Sequence, residues 1–344
     1  MELPTSIRDV PHLEDLLSEP SAAAVDALRR APGDIVVLGV AGKMGPTLAR
    51  MAKRAVDAAG VAARVIGVSR FSSAQHHQAL ERCGVETIRC DLLDEAALSR
   101  LPDAPNVIFM AGRKFGSTGD ESYTWAMNAH LPALVCRRYA ASRIVAFSTG
   151  NVYGLTPLGR GGSREEDPLQ PVGEYAMSCV GRERMFEHFS RSRGTSVAIL
   201  RLNYASEMRY GVLTDLARRV LQREPIDVTM GYFNVIWQAD ANAMALTALA
   251  HTSSPPLVVN LAGGEELSVR EVCTELATLM GVDVSFVGQE AAEALLSNGS
   301  RARALLGEPR VDARRLLPWT ADWTLRGGAS LDKPTHFESR TGRF

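Results

Sequence analysis

The sequence predicts an α/β fold, a Rossmann-like doubly wound parallel sheet carrying a smaller C-terminal lobe. Three observations point there. Short runs rich in Val and Ile alternate with amphipathic helices from about residue 34 to residue 150, and strands of that composition belong in a parallel sheet covered on both faces. The first of those runs opens directly into a glycine-spaced turn and a helix. Beyond about residue 200 the alternation loosens, which suits a lobe lying over the carboxyl edge of the sheet, where open parallel sheets bind their ligands.

Taken in order, residues 1–33 read as a helical extension, with Leu13, Leu16 and Leu17, then Ala24 and Leu28, at helical spacing. "DIVVLGV" is a buried strand, "MGPTLARMAKRAVDAAG" an amphipathic helix closed by glycine, and "ARVIGVSR" a second strand. The helix "AQHHQALERCG" leads to the strand "VETIRCDL", and "EAALSRL" to "NVIFMAG". "TWAMNAHLPALVCRRYAA" is the next helix and "RIVAFSTGNVYG" supplies a fifth strand. Further on, "FNVIWQADANAMALTALAH" reads as a strand and a helix, "PPLVVNLAGG" as a strand, "SVREVCTELATLMG" and "SRARALLG" as helices, and the last eighteen residues as a polar tail.

The bulk numbers exclude several classes. The chain has 344 residues, with 38 basic and 39 acidic side chains and a net charge of −1; no basic stripe is present to neutralise a phosphate backbone, so nucleic acid is not an expected partner. No apolar run approaches the roughly 20 residues of a membrane span, and the acidic N-terminus lacks the basic start and apolar stretch of a secretory signal. Cys83, Cys90, Cys136, Cys179 and Cys273 are scattered and never form a CxxC pair. Free thiols in a reducing cytoplasm fit that pattern, whereas a disulfide framework or a metal site does not.

The turn "LGVAGKMG" sets Gly39, Gly42 and Gly45 at G-x-x-G-x-x-G spacing, with Lys43 and Met44 between the last two. Such glycines allow a tight turn, close approach of the backbone to a pyrophosphate, and close packing of the helix whose free amides face the charge. A dinucleotide cofactor is therefore expected. After the second strand stand Ser69 and Arg70 with no carboxylate, which favours the 2′-phosphate of NADP over the free hydroxyl of NAD. Asp91 and Leu92 follow the third strand and suit the adenine side, while Ala111 and Gly112 follow the fourth. The resulting division is an extension (1–33), a dinucleotide-binding domain (34–203, with 233–262 returning to it), and a substrate-binding lobe with its tail (204–232 and 263–344).

"GVAGKMG", "RCDL", "FSTGNVYG" and "EYAMSCVGRE", with weaker likeness in "LRLNYA", "IWQADANAMALTAL" and "VVNLAGGEELSVREV", resemble the extended short-chain dehydrogenase/reductase family of epimerases, dehydratases and uronate dehydrogenases, over about residues 34–310. The resemblance implies hydride chemistry in which Tyr175 passes the proton and Thr149 hydrogen-bonds the reacting oxygen, with Ser148 as a neighbouring stand-in. It also implies that Asn128 organises the site and a proton-relay water. A homodimer, formed through the helix after the Thr149 loop and the Tyr175 helix, is expected on the same ground.

The departure is Cys179. Four places after the tyrosine the family has a lysine that grips the nicotinamide ribose and lowers the tyrosine pKa, and a thiol cannot supply that charge. Two cations are candidates to replace it. Arg182 lies seven residues after Tyr175, nearly two helical turns, on the same face; its guanidinium would act as a fixed charge, since it cannot share its proton. Lys114, in the loop "AGRKFGSTGD" after the fourth strand, has the reach of a flexible amine. A bland reading pairs Arg182 with Glu183 or Glu187 at the surface. Cys179 as a nucleophile is disfavoured because His188 falls on the opposite helix face.

Arg201, Asn203 and Tyr204, together with Arg209 and Tyr210, suit hydroxyls or a carboxylate, and the tail adds Lys333, His336, Arg340 and Arg343. The expectation is an NADP-preferring oxidoreductase, epimerase or dehydratase acting on a carbohydrate or sugar-acid-like small molecule. The competing expectation is a catalytically weak NADP-binding sensor.

Overall fold

In the computed structural model, which describes residues 3–72, 74–114 and 116–342, seven parallel strands form the central sheet. They are β1 (Ile35–Leu38), β2 (Val65–Ser69), β3 (Glu86–Arg89), β4 (Asn106–Phe109), β5 (Arg143–Thr149), β6 (Val197–Leu202) and β7 (Leu257–Leu261). Their spatial order is β7-β6-β5-β4-β1-β2-β3, so the chain reverses direction across the sheet between β1 and β4. That reversal opens a crevice beyond the carboxyl ends of these two strands.

The inner strands are buried on both faces, while the edge strand β3 stays partly exposed. Every residue of β1 is inaccessible. Its alternate side chains feed two cores, Ile35 and Val37 on one face and Val36 and Leu38 on the other, which is the period-2 geometry of a pleated strand. The first core takes helices α1 (Val10–Leu17), α2 (Ala22–Arg30) and α3 (Gly45–Ala59). Leu80 of α4 (Ala74–Arg82) joins this first core at the sheet margin, while the second is covered mainly by α5 (Glu95–Ser99), α7 (Leu131–Arg138) and α8 (Gly173–Arg193), with α6 (Glu121–Trp125) packed on α8. Between α6 and α7 the helix widens into a π-turn at Ala126–His130, a local irregularity that often marks a functional position; Asn128 sits in it.

Past β6 the chain builds α9 (Val212–Leu221), then α10 (Gln238–Ala248), which packs back on α2 and α3, and completes the smaller lobe with α11 (Val269–Met280), α12 (Ser300–Leu306) and α13 (Ala313–Leu325). The last of these is not announced by the sequence pattern. Pro318 lies inside it, yet Asp312 caps its first turn through the Arg315 amide, and Trp319 and Trp323 bury themselves beneath it. Thr47 of α3 receives hydrogen bonds from Gln238 (3.0 Å) and Asn242 (3.1 Å) of α10, fastening the glycine-turn helix to the return segment. After α13 the tail crosses back over the sheet edge. Thr335 bonds Asp215 through its amide (2.7 Å) and hydroxyl (2.6 Å), Arg340 pairs with Glu293 at 2.9 Å, and Gly342 meets the start of α8. No helix among the described residues is long and apolar enough to cross a membrane.

Candidate active site

A cleft of about 670 Å³ lies at the reversal between β1 and β4, walled by the glycine turn, the ends of β4 to β6, Tyr175, the start of the smaller lobe, and Leu331, Lys333 and Thr335 of the tail. The glycine turn fits a dinucleotide. Gly39 has φ +88° and a side chain there would strike the backbone of Ala111. A side chain on Gly45 would strike the Val40 carbonyl, so only glycine lets α3 start this close to the sheet. Met44, at the N-cap of α3, offers no side-chain cap, which leaves the first-turn amides for an anion.

Tyr175 is half-buried in the first turns of α8, and Thr149 ends β5. Asn151 donates to the Thr149 hydroxyl from its amide (3.2 Å) and its side chain (2.9 Å). With its lone pairs so used, the Thr149 proton is directed to the Tyr175 oxygen, which it hydrogen-bonds. Burial raises the Tyr175 phenol above its ordinary pKa and the Cys179 thiol adds to this, while the charge of Arg182 and the Thr149 hydroxyl pull it down. Ser148 is differently committed. Its hydroxyl donates to Glu183 at 2.5 Å, so of the two hydroxyls Thr149 is the one turned to the tyrosine.

Tyr175, Cys179 and Arg182 share the inward face of α8. Arg182 makes neither of the surface ion pairs its neighbours in sequence suggest. It is buried, donating to the Phe147 carbonyl (2.7 Å), to the Asn128 side-chain oxygen (2.7 Å) and to the Asn128 carbonyl (3.5 Å). Asn128 is thereby saturated, since it also accepts from the Arg113 amide and donates to the Arg113 carbonyl and the Ser178 hydroxyl. The arrangement makes Arg182 a fixed charge behind the tyrosine. Gly112 leaves room for it, because a side chain there would collide with the guanidinium.

Lys114 occupies the other side. Its ammonium lies 5.8 Å from the centre of the Tyr175 ring and donates to the Thr335 carbonyl at 3.3 Å. Burial lowers its pKa to about 8 against the pull of Cys179 and Asp215. The Cys179 thiol is pushed up by burial, with Arg182 and Lys114 opposing, and a buried thiol held protonated is a poor nucleophile.

The remaining expected residues divide. Gly39, Gly42, Lys43, Met44, Gly45, Gly112, Ser148, Thr149, Tyr175, Asn203 and Tyr204 line the cleft. Tyr204 holds φ +46°, a left-handed backbone that a bulky residue adopts only where the surroundings force it. Arg201, expected at the substrate, does not line this cleft: Glu183 takes it in a buried ion pair at 2.7 Å, and Tyr153 and the Glu165 carbonyl take its other donors. Asn128 stands behind the wall. Arg70 is exposed and donates to the Tyr123 hydroxyl at 3.1 Å; Ser69 precedes it, Asp91 accepts from the Leu93 amide, and Leu92 and Ala111 are buried. Arg343 lies outside the described residues. Sequence reasoning passes over Asn151 and Thr335 and offers Glu183 only as a surface partner of Arg182, whereas it is buried against Ser148 and Arg201. Asn151 follows Thr149 by two places and so carries a local signal; the other two gain their roles only through distant partners. No group of three His, Cys, Asp or Glu side chains among the described residues is placed to hold a metal ion.

Strand order, glycine turn and cleft define a doubly wound dinucleotide-binding protein with a tyrosine and a threonine at the carboxyl edge. The model of the NAD dependent epimerase/dehydratase family matches residues 35–262, two thirds of the chain, and the protein belongs to that family, whose members are NAD-dependent enzymes. No curated protein matches it in sequence. Among solved structures, the UDP-glucuronic acid 4-epimerase of Bacillus cereus in complex with UDP-glucuronic acid and NAD is 19% identical, with a TM-score of 0.69 over 85% of this chain and 99% of that one. The UDP-glucose 4-epimerase of Thermotoga maritima with UDP-glucose is 19% identical, with a TM-score of 0.70 over 86% and 99%. The dTDP-glucose 4,6-dehydratase of Bacillus anthracis in complex with NAD is 16% identical, with a TM-score of 0.71 over 86% and 97%.

Proposed function

We propose that the protein is an NADP-preferring oxidoreductase, epimerase or dehydratase that moves hydride to and from a carbohydrate or sugar-acid-like substrate, with Tyr175 as the acid/base. The observation that carries this is the Thr149 to Tyr175 hydrogen bond, placed in one cleft with the glycine turn. Gly39, Gly42 and Gly45 with the amides of α3 would hold the cofactor pyrophosphate, and the absence of a carboxylate beside Ser69 and Arg70 supports NADP. When bound, the nicotinamide supplies the carbon that accepts or returns hydride. Tyr175 takes the proton of the reacting hydroxyl or returns it to the carbonyl, Thr149 orients the oxygen, and the charges of Arg182 and Lys114 stabilise the phenolate in place of the family lysine.

Turnover measured with both cofactors on a panel of aldoses, lactones and sugar acids tests the reading. Tyr175→Phe should lower the rate about a hundredfold or more while leaving cofactor affinity unchanged. Tight cofactor binding with no turnover on any of them, or a Tyr175→Phe variant as fast as the parent, would sink it.

The same reading includes a homodimer through α8. Trp125, Val172 and Met177 are exposed on α6 and at and before α8, apolar area that a four-helix interface would cover. Sedimentation should give twice the chain mass, and Met177→Glu should return it to one.

A further inference from the structure

The backbone is strained in the turn after β2. Arg70 is followed there by Phe71, which is 2% exposed and holds φ +45°, a left-handed backbone that an aromatic residue adopts only where its surroundings fix it. Two things fix it. Its ring is buried in the first core, and the Arg89 guanidinium at the end of β3 donates to its carbonyl at 2.9 Å. The strain lies one residue from Arg70, at the strand end that meets the adenosine ribose of a dinucleotide in a doubly wound sheet.

From that turn Arg70 reaches α6, where it donates to the Tyr123 hydroxyl at 3.1 Å. Because β1 stands between β2 and β4 in the sheet, this bond joins segments that leave the sheet on either side of the glycine turn. Tyr123 is held in its turn. The Arg113 guanidinium lies 5.0 Å from the centre of its ring, a cation–π contact. Arg113 is pinned at its side chain by Asp120 (2.7 Å) and the Gly116 carbonyl (2.8 Å), and at its backbone by Asn128, which accepts from its amide (2.8 Å) and donates to its carbonyl (2.9 Å). An arginine at the surface must give up rotamer freedom to grip a ligand, and one already held by a partner gives up less.

We propose that Tyr123, braced by Arg113, is a specificity-determining residue for the cofactor: it holds Arg70 in place to receive a phosphate on the adenosine ribose. The choice of NADP over NAD then depends on α6 as well as on the turn after β2. The inference rests on the NADP preference proposed above and deepens it by naming what positions the cation. A guanidinium grips a phosphate through paired, charge-assisted hydrogen bonds, whereas the free hydroxyl of NAD offers it no charge.

Calorimetric titration of the full-length protein tests this with two ligand pairs: NADPH against NADH, and adenosine 2′,5′-bisphosphate against AMP, which isolates the phosphate from the nicotinamide. In each pair the phosphorylated ligand should bind about tenfold or more tighter, a preference that shrinks in high salt. Arg70→Gln should remove the preference. Tyr123→Phe keeps the ring and its contact with Arg113, and should cut the preference about three- to tenfold while NADH and AMP bind as they do to the parent. A Tyr123→Phe variant with the parent's preference, beside an Arg70→Gln variant that has lost it, overturns the role of Tyr123 and leaves the NADP reading intact. Equal weakening of both members of each pair overturns it as well, since Tyr123 would then support the fold and not the phosphate. A parent without any preference overturns the NADP reading and this inference with it. Turnover enters none of these measurements, so the hydride-transfer reading stands or falls by its own assay.

Discussion

At the residue scale the site turns on where long cations find acceptors. Seven residues of helix place Arg182 beneath Tyr175, but its role follows from the Phe147 carbonyl and the Asn128 oxygen that hold it. Lys114 shows the cost of holding a cation here. Its folded pKa is about 8, below the ordinary lysine value of about 10.4, so between these limits the unfolded chain binds more protons and stability rises with pH. Below about pH 8 the full penalty for burying the charge applies. Lys114→Met should therefore raise the melting temperature of the cofactor-free protein at pH 7, by on the order of 1 kcal/mol or about 2 °C. The gain should shrink as pH climbs from about 8 toward 10.5. A gain independent of pH would show that packing and not charge is responsible. Neither residue's partners could be read from spacing, because a side chain of four or five rotatable bonds is placed by the acceptors within its reach.

At the scale of elements, glycine does what no other residue can in the turn before α3. A methyl group on Gly45 would meet the Val40 carbonyl, while one on Gly60, at the left-handed C-cap of the same helix, would meet nothing within 4 Å. Gly45→Ala should cost about 1–3 kcal/mol through overpacking and weaken cofactor binding, because relief requires α3 to shift. Gly60→Ala should cost about 1 kcal/mol from backbone strain alone and leave cofactor affinity intact. Chemical denaturation with cofactor titration on both variants checks the pair. Such elements were legible in the chain. Strands β1 to β5 and the helices between them follow hydrophobic periodicity closely, since each buries a fixed face against the sheet. Helix α13 was not legible: Pro318 speaks against a helix locally, and burial of Trp319 and Trp323 overrides it.

At the scale of the whole molecule, the N-terminal helices are part of the core. Leu13, Leu16, Leu17 and Leu28 are almost wholly buried, and α2 packs on α3 and α10. Four such side chains, at about 1.5–3 kcal/mol each, match the entire stability of an ordinary domain, roughly 5–15 kcal/mol. Removal of residues 1–33 should accordingly leave a protein without a cooperative thermal transition; a truncated form melting like the parent would contradict this. The tail is the second whole-molecule feature. Lys333 and Thr335 enter a site begun almost three hundred residues earlier at Gly39; the sequence offers Lys333 as a candidate cation, and the fold alone shows the tail lying over the cleft.

The sequence by itself determined the doubly wound sheet, the glycine turn at its reversal, and the order in which Thr149 and Tyr175 arrive at the carboxyl edge. These rest on local rules, the period of burial and the backbone freedom of glycine, which any short window of chain expresses. Only the tertiary structure decided which cations lie near Tyr175. It turned Arg182 inward, drew Arg201 away to Glu183, brought Lys114 across the ring and laid the tail over the cleft. Those choices depend on charges and carbonyls from distant segments meeting in a partly desolvated space, where a buried ion must find a partner and the nearest acceptor in three dimensions decides which.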